Sequence, residues 1–258
     1  MAGLPVELGV QTLLLAALVA AAVAMLVAKY LTATKASKGP TFLIAGPQGA
    51  GKTALFTLLR YGRKAPTVTS VQTNSTAQLE LPGLPGTRLV LHDTAGHPKL
   101  RQRLYDLVDV LQPAESLLGV VFVVDASAMA RPEAAHAAAQ YLYDILALTE
   151  RRRGGASVLV AANKAELFTA VPAKRLRSLL EDEITKIART KARAVSGVER
   201  SALGAAADDD DAPALWAGAP GAPFRFEVLE SEVTALSGSV ETGKIEPWVR
   251  WMEERVVQ

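Results

Sequence analysis

Short apolar runs alternate with amphipathic stretches along most of the chain, a pattern that predicts strands alternating with helices. Strands are predicted, in chain order, at 41–45, 77–81, 87–92, 117–124, 157–162 and 224–229. Helices are predicted at 54–60, 132–153, 172–194 and 245–256. The turn signal Pro82-Gly83-Leu84-Pro85-Gly86 makes the second and third strands a hairpin, and 65–75 is predicted to be a loop. The alternation elsewhere predicts an α/β fold, with a mostly parallel sheet covered by helices on both faces.

The stretch from Leu8 to Ala28 differs from the rest, because it carries no charged residue and consists almost entirely of Leu, Ala and Val. Its length matches the roughly 20 apolar residues that a helix needs to cross a bilayer. Only Gln11 and Thr12, near one end, are polar, whereas a buried core helix would carry polar residues along one face. We therefore predict one transmembrane helix over 8–28.

A cleaved signal peptide is the alternative, since Ala20-Ala21-Ala22 resembles a small-residue cleavage site. Signal peptides usually start with basic residues and have an apolar stretch of about 7–15 residues, whereas Glu7 precedes this longer span. Three lysines follow the span within 29–38, and no Lys or Arg precedes it. The positive-inside rule then places the N-terminus in the lumen or outside the cell and the rest of the chain in the cytosol.

The predicted organisation of the chain has four parts. It is a luminal N-terminus at 1–7, the membrane helix at 8–28, a basic tether at 29–40 and one domain at 41–258. The segment 196–223 interrupts that domain, because it is rich in Ala, Gly and Pro and contains four consecutive aspartates at 208–211. We predict an acidic disordered insert there. A metal site is the alternative, although four adjacent carboxylates do not readily converge on one ion.

Composition excludes several classes of function. The chain has no cysteine, which excludes disulfides, thiolate nucleophiles and zinc sites with cysteine ligands. The net charge of +2 is too small to indicate a nucleic-acid surface, so no direct contact with nucleic acid is expected. His92, His97 and His136 do not have the spacing of metal ligands.

The most specific motif lies between the first strand and the first helix. The chain there reads Gly46-Pro47-Gln48-Gly49-Ala50-Gly51-Lys52-Thr53, which fits the phosphate-binding pattern G-x-x-x-x-G-K-[ST]. The glycines allow successive backbone amides to point at phosphate oxygens, next to the positive end of the helix dipole. Lys52 is expected to reach the outer phosphates, and the Thr53 hydroxyl is expected to ligate Mg²⁺. The motif predicts a nucleoside triphosphate bound with Mg²⁺.

A second motif, Asp93-Thr94-Ala95-Gly96, follows the hairpin strand. An aspartate at a strand end can hold Mg²⁺ through water, and the Gly96 amide can approach the γ-phosphate. An ordinary turn is the alternative for these four residues. Thr69 is the candidate second protein ligand of Mg²⁺, with Thr67 as its fallback and an ordinary loop threonine as the alternative.

A third motif, Asn163-Lys164-Ala165-Glu166, follows a buried strand where GTPases commonly carry N-K-x-D. Asn163 is expected to approach the base and Lys164 to pack over it, while the carboxylate accepts hydrogen bonds from guanine N1 and N2. Glu166 is one methylene longer than Asp and must shift to make that contact, which leaves guanine selectivity open. In Thr234-Ala235-Leu236-Ser237, predicted to follow the last strand, the Ala235 amide is the candidate for guanine O6.

These motifs together resemble the Ras-like small GTPases and, within them, the family of signal recognition particle receptor β subunits. The resemblance rests on the N-terminal membrane span, G-P-Q-G-A-G-K-T, Thr69-Ser70-Val71 and D-T-A-G-H-P-K-L-R. N-K-A-E-L-F-T-A, followed by a long basic helix, is similar to the fungal members. The resemblance covers about 1–194 and, more weakly, the C-terminal strand and helix, whereas the acidic insert lies outside it.

The resemblance implies a guanine nucleotide switch that binds GTP and Mg²⁺. It implies a location in the endoplasmic reticulum membrane, with the GTPase domain in the cytosol, and a stable complex with the receptor's α subunit. The N-terminal domain of that partner is expected to grip the GTP-loaded switch regions. The translocon and the ribosome are further candidate partners.

His97 follows D-x-x-G, where many GTPases carry the glutamine that orients the attacking water. It is the candidate catalytic residue, with an exposed surface histidine as the alternative. Arg101 and Arg103 are interpreted as surface residues of a switch helix, so no arginine finger is identified and slow intrinsic hydrolysis is expected. Basic and apolar residues at 99–105 suit a partner surface that depends on the γ-phosphate, and an ordinary amphipathic helix is the alternative.

Two rival functions stay open at this point. An ATP-dependent kinase or transport ATPase would use the same phosphate loop, but Asn163-Lys164-Ala165-Glu166 argues against it. A transport GTPase of the Arf-like or Sar-like class would reach membranes through an amphipathic or myristoylated N-terminus. Here Ala2 follows Met1, where myristoylation requires glycine.

The predicted membrane helix is tested by washing membranes with alkaline carbonate. We expect the full chain to stay with the bilayer, because carbonate disrupts peripheral attachment and does not extract a helix that spans the membrane. A variant that lacks 1–28 should appear in the supernatant, as measured by immunoblotting of both fractions. Release of the full chain would instead favour the Arf-like or Sar-like alternative.

Overall fold

The structure is a computed structural model that describes residues 39–64, 74–97, 100–111, 117–150, 155–201 and 222–257, together with Leu18 and Met25 as isolated positions. The chain divides into two units, Met1–Lys38 and Gly39–Gln258. Apart from those two positions, the predicted membrane helix and most of the tether lie outside the described residues. Within the described residues, no helix has both the length and the apolar character that crossing a membrane requires.

The second unit is a sheet with helices on both faces. Its strands, among the described residues, are β1 Thr41–Ala45, β2 Asn74–Leu79, β3 Leu89–Asp93, β4 Leu117–Asp125, β5 Ser157–Asn163 and β6 Val233–Ser237. Its helices there are α1 Lys52–Tyr61, α2 Gln102–Leu111, α3 Pro132–Thr149, α4 Ala173–Ser201 and α5 Glu246–Val257. The strand order is β2-β3-β1-β4-β5-β6, in which β2 and β3 are antiparallel and all other neighbours are parallel. The predicted α/β fold with a mostly parallel sheet and a hairpin is confirmed.

Both faces of the central strands are buried, because alternate side chains point to opposite sides of the sheet and helices cover both sides. In β1, Leu43 joins the core formed with α2, α3 and α4, whereas Phe42 and Ile44 join the core formed with α1 and α5. The ring of Phe42 packs against Trp251 of α5 with 6.2 Å between ring centroids. This two-sided burial explains why β1, β4 and β5 appear in the sequence as continuous apolar runs.

The predicted final strand at 224–229 is wrong. Residues Phe226–Val228 form a single turn of 3₁₀ helix, and the last strand is β6, which begins at Val233. The reason is a buried carboxylate on α4: Glu181 accepts hydrogen bonds from the Phe226 N–H at 3.2 Å and from the Arg225 guanidinium at 2.9 Å. The polar groups of this segment therefore form hydrogen bonds with α4 rather than with a neighbouring strand.

Other boundaries differ from the prediction by smaller amounts. Helix α4 extends to Ser201, so 196–201, predicted as the start of the acidic insert, are helical. Residues 202–221, including the four consecutive aspartates, lie outside the described residues. Strand β2 begins at Asn74, inside the predicted loop, because the hairpin register pairs Asn74 with Asp93.

The role of Glu181 can be tested by replacing Glu181 with alanine. This change leaves the buried Phe226 N–H without its acceptor, and we expect it to lower the free energy of unfolding by about 2 kcal/mol. The matched control is Asp182→Ala, because Asp182 is the next residue on the same helix and is exposed. Urea unfolding of the domain measures both changes. Equal destabilisation by the two substitutions would contradict the proposed role.

Candidate nucleotide-binding site

The loop between β1 and α1 is shaped by three glycines with positive φ angles: 137° at Gly46, 76° at Gly49 and 96° at Gly51. A Cβ at Gly46 would overlap the carbonyl oxygen of Val123, and a Cβ at Gly51 would overlap the side-chain amide of Asn163. At Gly46 and Gly51, glycine is therefore required both by the positive φ angle and by the close approach of a neighbouring residue. The loop wraps tightly at the start of α1, as a phosphate-binding loop requires.

Lys52 lies at the start of α1 with only 6% of its surface exposed. Its Nζ donates a hydrogen bond to the Pro47 carbonyl oxygen at 2.8 Å. Burial lowers the pKa of Lys52 to about 8, with Asp93 opposing the change and Arg101 adding to it. Gly96 lies directly against the ammonium group, because a Cβ there would overlap Lys52 Nζ. The D-x-x-G loop and the phosphate loop are therefore in contact.

Asp93 is completely buried next to Thr53. Its Oδ2 accepts hydrogen bonds from Thr53 Oγ1 at 2.8 Å and from Asn74 Nδ2 at 3.1 Å. Its Oδ1 is buried and has no hydrogen-bond partner among the described residues. Burial raises the pKa of Asp93, although the hydrogen bonds from Asn74 and Thr53 and the charge of Lys52 oppose it. A carboxylate oxygen without a partner beside a threonine hydroxyl fits the oxygen-rich coordination of Mg²⁺.

Asn163, at the end of β5, connects two loops. It is 3% exposed, and its Nδ2 donates to the Ala50 carbonyl oxygen at 2.8 Å while its Oδ1 accepts from the Val240 N–H at 3.0 Å. The phosphate loop and the loop after β6 are thus held by one side-chain amide. This geometry requires asparagine, because Asp would have no donor for Ala50 and Gln would be too long.

Lys164 has a φ of 61°, a conformation that is uncommon for a residue with a side chain. Its Nζ pairs with Asp125 Oδ2 at 2.6 Å. Burial alone would raise the pKa of Asp125, but hydrogen bonds from Lys164 and Ser127 outweigh it and hold the pKa below its ordinary value. The pair orients the lysine stem at the edge of the site. Glu166 lies two residues further along, exposed in the following turn.

Sequence reasoning missed three of the residues in this site. Asn74 and Asp125 have polar side chains at the ends of β2 and β4, and each orients a motif residue. Tyr141 is buried on α3, with Thr94 and Gly46 beside its hydroxyl. The only signal for Asp125 in the sequence was its position after a long apolar run. Asn74 and Tyr141 are identified only by the register of the hairpin and by the packing of α3.

The placement of Ala235 was wrong. Ala235 lies inside β6 and is paired with Val160 in the parallel register, rather than in the loop after the last strand. That loop begins at Gly238, and the N–H groups of 238–240 all donate to protein acceptors. The contact of the Ala235 amide with guanine O6 stays a prediction, although this residue lies in a strand rather than in the loop. The error followed from the misplaced strand at 224–229.

The switch residues divide into those that the structure describes and those that it does not. His97 is exposed at the end of the D-x-x-G loop. Thr69, Thr67 and Lys99 lie outside the described residues, and the side chain of Arg103 does as well. Arg101, interpreted as a surface residue, is half-buried: its Nε is buried and its guanidinium lies over the ring of Tyr141.

The elements thus bring most predicted residues to one edge of the sheet. The phosphate loop follows β1, Asp93 ends β3, and Asn163 ends β5, and these strands are parallel. In an open α/β sheet, the carboxyl ends of parallel strands form the ligand-binding edge. The residues of the phosphate loop, Asp93 and Gly96 meet there, and Asn163 joins them to the loop that carries Lys164 and Glu166.

Comparison with known proteins identifies the family of α/β proteins to which this chain is similar. The family described as "Signal recognition particle receptor beta subunit" matches residues 37–233 of the chain. The chain belongs to this family. The signal recognition particle receptor subunit beta of Saccharomyces cerevisiae is 35% identical over 218 residues, which is 84% of each chain.

Two solved structures of signal recognition particle receptor β subunits from Chaetomium thermophilum share this fold. The complex of SRb with GTP and SRX is 29% identical, with a TM-score of 0.63 and coverage of 84% of this chain and 98% of that chain. SRb with GDP and Mg is 33% identical, with a TM-score of 0.61 and coverage of 86% and 99%. The predicted family is confirmed, and the Arf-like or Sar-like alternative is not favoured.

The lowered pKa of Lys52 predicts that binding of a phosphate ligand at this loop depends on pH. A bound phosphate would raise that pKa again, because a neighbouring negative charge favours the protonated amine. Binding above about pH 8 therefore takes up a proton, and affinity should fall as the pH rises past that value. Calorimetry with a nonhydrolysable GTP analogue and Mg²⁺, in two buffers of different ionisation enthalpy, measures both effects.

Two variants serve as controls for this titration. Lys52→Arg should remove the pH dependence, because a guanidinium stays charged over the whole range. Lys64→Ala should keep it, because Lys64 is exposed and pairs with Glu241 away from the loop. An affinity for the analogue that stays constant across the titration in the unmodified protein would contradict the assignment.

Proposed function

We propose that this β subunit is a GTP-binding switch that holds the α subunit of the receptor at the endoplasmic reticulum membrane for cotranslational protein targeting. The observation that carries the proposal is the cluster of Lys52, Thr53 and Asp93 against the phosphate loop. A half-paired buried carboxylate, a hydroxyl and a desolvated amine together suit a nucleotide phosphate with its metal ion.

We assign the phosphate and metal contacts within this site as follows. The backbone of Gly46–Gly51 surrounds the phosphates, Lys52 reaches the outer ones, and Gly96 lies against Lys52 where the γ-phosphate would be sensed. Mg²⁺ would be held by the Thr53 hydroxyl and, through water, by Asp93, with Thr69 as the ligand from the first switch. The ion would supply positive charge that neutralises part of the negative charge of the phosphates.

Recognition of guanine is proposed for the third motif. Asn163 and Lys164 hold the loop that faces the base, and Glu166 accepts hydrogen bonds from guanine N1 and N2. Adenine does not present two donors on that edge, so the carboxylate favours guanine. The exposure of Glu166 leaves it room to adopt the retracted conformation that its extra methylene requires.

Slow hydrolysis fits the positions of the catalytic candidates. His97 is proposed to orient the attacking water, yet it is exposed at the end of its loop. A histidine contributes to such a step only when it is held against the water. The protein is therefore proposed to act mainly as a nucleotide-dependent binding subunit.

The partner and the location are proposed on the family relationship. The Chaetomium thermophilum relative is solved with GTP and SRX together, which supports a nucleotide-dependent complex with the α subunit through the switch regions. Residues 8–28 would anchor the domain in the membrane of the endoplasmic reticulum, facing the cytosol. The translocon and the ribosome would then be neighbours of the complex.

The proposal is tested by purifying the full chain from a detergent extract in the presence of Mg²⁺. We expect a guanine nucleotide by chromatography of the released ligand and the α subunit by mass spectrometry of the co-purifying chain. Exchange of GTP for GDP should weaken retention of the α subunit at least about tenfold, as expected for a switch coupling of about 1.4 kcal/mol or more.

Lys52→Ala should reduce nucleotide content and partner retention together, whereas Lys64→Ala should change neither. Material that holds no purine nucleotide, or that retains the α subunit equally well with GTP and GDP, would refute the proposed function.

A further inference from the structure

Arg101 is held in an unusual position for an arginine at the beginning of a switch helix. It lies just before α2, and its Cζ is 4.1 Å from the centroid of the Tyr141 ring. Its Nε is buried and has no hydrogen-bond partner among the described residues. A buried N–H of a charged group without an acceptor is costly, and such a group in a native site requires an explanation.

Tyr141 provides a rigid support for this guanidinium. It is completely buried on α3, and its ring packs edge-on against Phe122 of β4 with 5.6 Å between centroids. Burial raises the pKa of Tyr141 to about 12, while Arg101, Thr94 and Gly46 oppose that rise. Its hydroxyl makes no well-formed hydrogen bond among the described residues, although Thr94 and Gly46 lie beside it.

These neighbours place Arg101 at the phosphate end of the site. Gly46 is the first residue of the phosphate loop, and Thr94 follows Asp93 and bonds to the Ile44 carbonyl oxygen at the end of β1. The charge of Arg101 also contributes to the lowered pKa of Lys52, so the two cations lie within electrostatic reach of each other. Two cations beside the single carboxylate of Asp93 leave a net positive charge, which favours an anion.

We propose that Arg101 is a second cationic contact for the outer phosphates, beside Lys52, and that it makes the site favour GTP over GDP. The proposal rests on the function proposed above and adds a residue that discriminates between the two nucleotides. A guanidinium can keep its face on an aromatic ring while its N–H groups donate to phosphate oxygens. The Tyr141 ring would therefore position Arg101 without occupying its donors.

A purely structural role makes a different prediction. If Arg101 only anchored α2 to Tyr141, Arg101→Lys would bind both nucleotides as tightly as the unmodified protein, because a lysine keeps a cation over the ring. If Arg101 contacts the outer phosphates, the lysine variant should lose affinity for the triphosphate and keep most of its affinity for GDP. The ratio of the two affinities in Arg101→Lys therefore separates the alternatives.

The experiment measures the binding of a fluorescent nonhydrolysable GTP analogue and of fluorescent GDP, both with Mg²⁺, to the full chain in detergent. Arg101→Gln should lower the affinity for the analogue by about tenfold or more, which is the scale of a lost hydrogen bond to a charged group. It should lower the affinity for GDP by less than about threefold. Arg101→Lys keeps the charge without the planar fork and should weaken the analogue by a smaller factor, again with little effect on GDP.

Arg60→Gln is the matched control, because Arg60 lies over the Tyr61 ring at 5.0 Å on the exposed end of α1. It loses the same kind of cation–ring contact away from the phosphate loop and should change neither affinity. Thermal unfolding of each variant checks that it is folded. If Arg101→Gln does not fold, the two affinities are compared for Arg101→Lys instead.

Equal weakening of both nucleotides, or no weakening of the analogue, would overturn the assignment of Arg101. Failure of the unmodified protein to bind either nucleotide would instead refute the proposed function. The two failures are therefore distinguishable in one series of titrations.

Discussion

The side-chain amide of Asn163 is the interaction on which the geometry of the site most depends. It is buried at the end of β5 and reaches Ala50 in the phosphate loop with one end and Val240 in the loop after β6 with the other. Losing it would leave a carbonyl and an N–H without partners in a region closed to water, which is far more costly than losing an exposed hydrogen bond. The contact also explains why Gly51 has no side chain, since a Cβ would occupy the position of the amide.

At the phosphate end, the structure concentrates charge in a region with little water. Burial lowers the pKa of Lys52 and raises that of Asp93, so each group is less stable in its charged form than it would be in solvent. Arg101 has a buried N–H that finds no acceptor in the described part of the chain, which makes its charged group less stable as well. Buried groups whose charged forms are destabilised cluster at functional sites, because a ligand of the right charge stabilises all of them at once. A phosphate with its divalent cation has that charge pattern, which connects the electrostatics of this edge to the proposed nucleotide switch.

The parts predicted correctly from the sequence are those whose information is local. The phosphate loop and D-T-A-G are contiguous, and each is placed by the strand before it, so their positions follow from short apolar runs. The hairpin followed from a turn signal between two alternating segments. The errors have a common cause in contacts across long sequence separations. The segment 224–229 resembles a strand until Glu181 of α4 binds its backbone, and Ala235 was misplaced in consequence.

The sequence by itself determined the fold class, the family and the three motifs of the nucleotide edge, because backbone conformation and apolar periodicity are encoded within a few neighbouring residues. Only the tertiary structure decided which other side chains complete the site. Asn74 reaches Asp93 through the hairpin register, and Asp125 reaches Lys164 across a parallel pair of strands. Arg101 is half-buried because its guanidinium packs over Tyr141 of α3. These partnerships depend on packing between elements, and no local pattern in the chain specifies which elements will meet.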